Sequence, residues 1–141
     1  QMVVKQVSVF VENTVGRLAD ITGILLENNI DLKACTIAET VDFGILRCIV
    51  EDPEAMVRIL VEKGFSASIT EVIGVSLEDK PGGLHRILKI LAGEGIAVNY
   101  IYSTIKSDEG KALIMMKVSD EKKAEEILKA NDVELVEPKD L

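Results

Sequence analysis

The chain opens with a regular alternation of apolar and polar positions. Within the predicted strand, residues 3–11, valine recurs at every second place from residue 7 onward, which is typical of a β-strand that buries one face. Helical spacing then takes over, because Leu18, Ile21 and Leu25 recur every three or four residues before Asn28-Asn29 ends the helix. The alternating residues are Val7, Val9 and Val11 on one face and Gln6, Ser8 and Phe10 on the other.

The following segments complete a unit of six elements. Two strands are predicted at residues 31–38 and 45–50, joined by a turn that contains Gly44. Residues 52–54 are typical of a helix start, because Asp caps, proline suits the first turn, and glutamate favours the positive helix end. A last strand is predicted at residues 66–71. The order strand, helix, strand, strand, helix, strand is that of a ferredoxin-like fold.

The second half of the chain repeats this order. Its first helix carries a clearer apolar stripe and ends at residues 93–95, and residues 119–121 again form a helix start. The stripe consists of Leu84, Ile87, Leu88 and Leu91, and the predicted strands are residues 97–105, 111–118 and 133–137.

The two halves are also similar in sequence. Residues 12–21 return as residues 78–87, which places Gly16 and Gly82 in register at an offset of 66. The same offset carries Ile30 onto Ile96, Asp42 onto Asp108 and Gly44 onto Gly110. A repeat of this length predicts two copies of one small domain.

These observations predict an α+β fold made of two ferredoxin-like units, at residues 2–70 and 71–141. No linker rich in proline, serine or glycine separates the copies, because residues 69–77 run almost continuously from one strand into the next. Units this small need shared buried surface, so we expect them to dock side by side. A continuous eight-stranded antiparallel sheet with helices on one face is one such arrangement.

Composition excludes several functional classes. The formal net charge is −8 and there is no Trp, which disfavours binding to a phosphate backbone or stacking on single-stranded bases. No apolar run approaches the roughly 20 residues that a membrane helix needs, and no basic leader precedes an apolar segment. We therefore expect a cytoplasmic protein with no nucleic-acid or membrane partner.

Metal and redox sites have little support in the sequence. Cys35 and Cys48 lie in neighbouring predicted strands, where two buried small residues are the ordinary interpretation and a disulfide or redox pair is the alternative. The chain has one His and no CxxC motif, so no zinc site is expected. We assign no cofactor, no metal ligand and no catalytic residue.

The segment that repeats most clearly has the character of a ligand-binding loop. Residues 79–84 join a strand to a helix with two glycines at the helix start, where backbone N–H groups can hold a carboxylate. An ordinary tight turn is the alternative interpretation. Both copies also keep a side chain able to bind an ammonium group, Asn13 or Asp79, three residues before the glycine.

This loop, the segment Gly95-Ile96-Ala97-Val98-Asn99 and the repeated topology resemble the ACT domain, a small regulatory module that binds amino acids. The resemblance covers nearly the whole chain, as two ACT domains in tandem. The first copy departs from the usual loop because Val15 stands where the second copy has Pro81. ACT domains commonly pair antiparallel along their second strands, which would bring the loop of one copy to the strand start of the other.

The resemblance thus implies two binding sites with different chemistry. Position 99 offers an amide where its counterpart, position 33, offers an ammonium group, so the affinities should differ. Helix-start amides would hold the ligand carboxylate, and Asn13, Asp79 or Asn99 its ammonium group. One site comprises Asn13, Thr14, Val15, Gly16 and Arg17 with Ala97, Val98 and Asn99. The other comprises Asp79, Lys80, Pro81, Gly82, Gly83 and Leu84 with Asp31, Leu32 and Lys33.

His85 follows the second loop and could tune binding with pH, although an exposed helical histidine is the plainer interpretation. The sequence does not decide which amino acid would bind. Val15, Leu32 and Val98 favour an aliphatic side chain on the ligand, whereas His85 and Glu12 are compatible with a polar one.

The functional hypothesis is therefore a sensor that binds a free amino acid and passes this state to a metabolic enzyme or to its own oligomer, such as a homodimer. One alternative is a small enzyme of acylphosphatase type, which Arg17 and Asn13 support only weakly because Gly83 stands at the position of Arg17 in the second copy. Another is an adaptor subunit of a metabolic enzyme that binds no ligand.

Overall fold

The computed structural model describes residues 3–105 and 110–141. Within these ranges the chain is an α+β protein with seven strands and four α-helices. The elements are β1 (Val3–Glu12), α1 (Arg17–Glu27), β2 (Ala34–Glu39), β3 (Phe43–Ile49), α2 (Pro53–Glu62), β4 (Ser66–Glu78), α3 (Gly83–Gly93), β5 (Val98–Ser103), β6 (Lys111–Val118), α4 (Glu121–Ala130), β7 (Glu134–Leu135) and a final 3-10 turn (Pro138–Asp140).

The chain divides into two compact units. One is Lys5–Thr70, and the other is Glu71–Leu141 together with the N-terminal residues up to Val4. Strand β4 crosses the boundary without a break, so it supplies the last strand of one unit and the first of the other. Two copies were expected to give eight strands. The described residues form seven, because β4 takes the place of two of them. The domain limits 2–70 and 71–141 stay a prediction.

The unit Lys5–Thr70 has the strand order β2-β3-β1-β4 of a ferredoxin-like fold. Strand β3 pairs antiparallel with both β1 and β2, with Val7 opposite Cys48 and Ala34 opposite Ile49. The alternation in β1 is confirmed, because its three alternating valines are at most 3% exposed. They pack in one core with residues of both helices, including Ile21, Leu25, Met56 and Leu60.

The second unit shows the same order, since β6 lies between β5 and β4 and β7 pairs with the other edge of β4. Its core contains Ile73 and Val75 of β4, Ile87 and Leu91 of α3, and Leu128 of α4. The last strand is shorter than predicted, because only Glu134–Leu135 pairs before Pro138 begins the final turn.

Strand register refines the repeat. Glu12 is opposite Phe43, and Glu78 is opposite Lys111. Glu78 follows Glu12 by 66 residues, whereas Lys111 follows Phe43 by 68. The second copy thus carries two extra residues at the hairpin between its second and third strands. The sequence match of Gly44 with Gly110 is wrong in structural terms, and Asp108 lies outside the described residues.

No helix in residues 3–105 and 110–141 is both long enough and apolar enough to cross a membrane.

The two cysteines are directly opposite each other on β2 and β3, and both are free thiols. Cys48 is fully buried in the core of its unit, while Cys35 is exposed at the edge strand. Burial, with a smaller contribution from the charge of Cys35, raises the pKa of the Cys48 thiol to about 12. Cys48 therefore stays protonated at neutral pH.

This difference predicts unequal alkylation of the two thiols. At about pH 8 iodoacetamide should label Cys35 rapidly and Cys48 only as the protein unfolds, because the thiolate is the reacting species and burial suppresses it. Mass spectrometry with time should show one fast adduct, and Cys35→Ser should remove it. Two adducts formed at equal rates in the folded wild type would contradict the assigned burial.

Candidate functional site

The first glycine loop, residues 13–16, is a tight turn held by backbone hydrogen bonds. Thr14 N–H donates to the carbonyl of Glu12 at 2.8 Å, and Arg17 N–H donates to the carbonyl of Thr14 at 3.3 Å. Asn13 N–H donates to the carbonyl of Asp42 at 3.1 Å, which ties the loop to the hairpin between β2 and β3. Gly16 has φ 85°, a left-handed conformation that glycine adopts without steric cost.

The second loop, residues 79–82, repeats this geometry. Lys80 N–H donates to the backbone carbonyl of Glu78 at 2.9 Å, and Gly83 N–H donates to that of Lys80 at 3.2 Å. Asp79 N–H donates to the backbone carbonyl of Gly110 at 3.1 Å. Gly82 has φ 89°. The replacement of Pro81 by Val15 in the first copy therefore leaves the turn unchanged, although the Val15 side chain is fully exposed at 106%.

The helices that follow these loops begin without a side-chain cap. Asp52 caps α2 by accepting from Ala55 N–H, and Asp120 caps α4 by accepting from Lys123 N–H. In the described part of the chain no side chain does this for α1 or α3, whose N-cap residues are glycines. First-turn N–H groups lack intrahelical acceptors, so these two helix starts can receive a carboxylate.

The polar side chains near the loops are solvent-exposed. Asn13 donates from Nδ2 to the carbonyl of Val41 at 3.4 Å, and Asp79 and His85 lie at the surface. The hydrogen bond between Lys80 and Glu78, at 2.8 Å, lowers the pKa of Glu78 and raises the pKa of Lys80. Exposed pairs of this kind add little to folding stability. The pH-tuning role of His85 stays a prediction.

The predicted strand-start residues lie before β2 and at the start of β5. Lys33 N–H donates to the carbonyl of Ile49 at 2.9 Å, where β2 begins. Ala97 N–H donates to Ser119 Oγ at 3.0 Å, and Asn99 lies at an irregularity in the pairing of β5 with β6. Leu32 and Val98 are half-buried, whereas Asp31 and Asn99 are exposed.

Each unit keeps its own loop and strand start apart. In Lys5–Thr70 the loop follows Glu12, opposite Phe43, whereas β2 begins at Ala34, opposite Ile49. These two positions of β3 are the ends of the strand, about 20 Å apart at roughly 3.3 Å per residue. The pairing of each loop with the strand start of the other copy stays a prediction.

The unit Lys5–Thr70 carries two surface clefts. The larger, of about 830 Å³, lies at the turns before β2 and α2 and includes two predicted residues, Asp31 and Lys33. The smaller, of about 180 Å³, lies at the end of β1 and includes Arg17. The larger is lined by Asn28, Asn29, Ile30, Asp31, Lys33, Glu51, Asp52, Ala55, Arg58 and Ile59, and the smaller by Phe10, Glu12, Arg17, Phe43, Gly64, Phe65 and Ser66.

The phenylalanines of the smaller cleft were not predicted as site residues, and neither were Glu51 and Arg58 of the larger one. One signal was available: Phe10 interrupts the polar face of β1, where Gln6 and Ser8 precede it. Phe43, Phe65 and Arg58 gave none, because tertiary packing alone brings them to these clefts. Across residues 3–105 and 110–141, the His, Cys, Asp and Glu side chains form no cluster that could hold a metal ion.

The sequence profile of the ACT domain pair family matches residues 2–141. The chain belongs to this family. The glycine loops, the uncapped helices and the duplicated ferredoxin-like units are thus features of an ACT domain pair. A search of curated proteins finds no match.

Solved structures agree with this assignment. A protein from Bacteroides thetaiotaomicron is 40% identical, with 99% of this chain and 95% of that one covered and a TM-score of 0.92. The ligand-free regulatory subunit of aspartate kinase from Thermus thermophilus is 14% identical, with coverage of 92% and 91% and a TM-score of 0.64. The Thermus flavus subunit is 15% identical, with coverage of 92% and 94% and a TM-score of 0.62. The ACT domain pair thus shares the fold of these regulatory subunits.

Alanine substitutions at Gly16 and Gly23 should change the free energy of unfolding in opposite directions, because only Gly16 is in the left-handed conformation. Gly16→Ala should lower the free energy of unfolding by about 1–2 kcal/mol, because a side chain disfavours the left-handed conformation. Gly23→Ala, inside α1 and with open space around its Cβ position, should raise it by about 0.5–1 kcal/mol. Urea denaturation measures both free energies of unfolding, provided that the dependence on urea concentration is the same in the variants and the wild type. Changes of the same sign would contradict the assigned role of Gly16.

Proposed function

We propose that this ACT domain pair is a regulatory protein that binds a free amino acid at its glycine loops. The observation that carries the proposal is the shared absence of a side-chain cap at α1 and α3, while α2 and α4 each have one. Two helices of the same chain are capped in the usual way, so the uncapped starts are a local feature of the loops. A ligand carboxylate would complete the hydrogen bonding there.

The ligand's ammonium group would be held by a polar side chain near each loop. In one site Asn13 or Asn99 would accept from it, and in the other Asp79 would do so. Each loop would act with the strand start of the other copy, because the two ends lie apart within one copy. The Lys33 ammonium group would disfavour a cationic ligand in the second site, which is why the two affinities should differ.

Binding would regulate by linkage. A ligand held by residues from both copies stabilises the arrangement that brings those residues together, and it shifts any equilibrium coupled to that arrangement. The receiver would be a metabolic enzyme or the protein's own oligomer. The regulatory subunits of aspartate kinase that share this fold support the proposal.

The protein would act by binding rather than by turnover. A phosphate-binding loop of acylphosphatase type needs an arginine, and the second copy has Gly83 at that position. A Cβ at Gly83 would lie 2.8 Å from the Glu78 carbonyl oxygen, so the second turn excludes any side chain there.

A thermal-shift screen against the twenty free amino acids tests the proposal directly. A ligand that binds only the folded state should raise the melting temperature selectively, by mass action, and calorimetry should then give its affinity. Lactate, which keeps a carboxylate but has no amine, serves as the control. No shift with any amino acid would contradict the sensor function and favour an adaptor that binds no ligand.

Substitutions at the strand start test where the ligand lies. Asn99→Ala should weaken binding of a screened amino acid by about tenfold or more, because it removes a hydrogen bond to a charged group. The control is Lys122→Ala, at an exposed position of α4. Gly82→Val should also weaken binding, since it forces a branched side chain into a left-handed turn. Equal affinity in Asn99→Ala and its control would exclude the predicted site around Asn99.

A further inference from the structure

All three phenylalanines of the chain line a single small cleft. Phe10, Phe43 and Phe65 are far apart in sequence, and the fold brings them together at the end of β1 beside Arg17. The cleft has a volume of about 180 Å³. A cleft of this size has room for one aromatic ring or one branched side chain.

Strand register explains the arrangement of the walls. Phe43 is opposite Glu12, and Phe10 precedes Glu12 by two residues, so all three side chains share one face of the sheet. Phe65 immediately precedes β4 and is buried in the unit's core, with 8% exposure. Arg17 begins α1 and completes the cleft.

Arg17 packs against Phe65 and lies close to Asp20. Its guanidinium carbon lies 4.4 Å from the centre of the Phe65 ring, and its Nη1 lies 3.6 Å from Asp20 Oδ2. Among the described residues, Arg17 Nε is buried and has no hydrogen-bond partner. The side chain as a whole is 33% exposed, so the accessible part of the guanidinium group can donate to an oxygen supplied from outside the chain.

The other walls are suited to an apolar group. Phe10 and Phe43 are 58% and 53% exposed, although both rings border the same cleft. A ligand that covers them would remove apolar surface from water, which is favourable in proportion to the area covered. Glu12 lies at the same edge and is exposed, so it could accept from an ammonium group on the ligand.

The second copy shows that the turn does not require this cleft. Strand register and helix starts equate Phe10 with Ser76, Arg17 with Gly83, Phe43 with Lys111 and Phe65 with Val133. The second copy therefore keeps the same glycine turn without the rings or the guanidinium group. The phenylalanine rings and the guanidinium group at these positions are particular to the first copy.

We infer that this cleft binds the carboxylate of a small apolar acid, with Arg17 donating to the carboxylate and the phenylalanine rings contacting the apolar group. An α-amino acid with an aromatic or branched side chain has this chemistry, and Glu12 then contacts its ammonium group. For amino acids the inference deepens the proposed function and rests on it. For acids without an amine it stands alone.

Calorimetry on the full chain tests the inference with two probes, L-phenylalanine and 3-phenylpropionate. Both should bind the wild type, and Arg17→Met should weaken both by about ten- to hundredfold, because it removes hydrogen bonds to a charged group. The control is Lys122→Met, which removes an exposed cationic side chain of α4 that lines neither cleft. Benzyl alcohol, which has no carboxylate, should not bind.

Phe43→Ala provides a second variant that should fold normally, because its ring is more than half exposed. It should weaken both probes severalfold and leave the melting temperature of the free protein nearly unchanged. Glu12→Gln should weaken L-phenylalanine alone, because 3-phenylpropionate has no ammonium group.

The outcomes separate this inference from the proposed function. If amino acids bind and Gly82→Val weakens them while Arg17→Met does not, the cleft is excluded and the loop sites stand. If 3-phenylpropionate binds through Arg17 but no amino acid binds, the cleft stands and the amino-acid function falls. Failure of both probes to bind the wild type would overturn the inference.

Discussion

The left-handed glycine at the start of α1 and α3 is the constraint on which the candidate sites depend. With φ near 85° at Gly16 and 89° at Gly82, the chain turns from strand to helix within a few residues. A residue with a side chain would be strained in this conformation, and one with a capping oxygen would occupy the first-turn amides itself. Glycine therefore makes the sharp turn and leaves the helix start open to an external acceptor.

The turn occurs twice in the chain, but the side chains next to it differ between the two copies. The hydrogen bonds of the loops correspond one to one, so both copies make the same type of turn. The side chains differ: the first copy has Arg17 stacked on Phe65, whereas the second has Gly83, where a Cβ would meet a carbonyl oxygen at 2.8 Å. The backbone hydrogen-bond pattern of the turn is thus common to both copies, whereas the side chains around it are particular to each.

Local patterns were enough to predict the elements but not the details that need three dimensions. Alternating valines in β1 and the apolar stripe around Ile87 and Leu91 identify buried faces, because each periodicity belongs to one kind of element. The near-continuous run of residues 69–77 predicted the unbroken course of β4. The two extra hairpin residues could not be predicted, since they depend on strand register. The phenylalanine cleft was missed for a related reason: its residues are distant in sequence and meet only through the pairing of β1 with β3.

Arg17 links the surface to the core of its unit. Its guanidinium group lies over Phe65, and Phe65 N–H donates to the carbonyl of Leu60, a fully buried residue of α2. A carboxylate that engages Arg17 would fix the guanidinium group against this ring, and through it would favour one position of the turn between α2 and β4. Any linkage between ligand and regulation needs such a difference between bound and free states. In the proposed function, the contact of Arg17 with Phe65 would give the first copy a physical route for this linkage. The second copy has Gly83 and Val133 at these positions, neither of which is an aromatic ring or a cation.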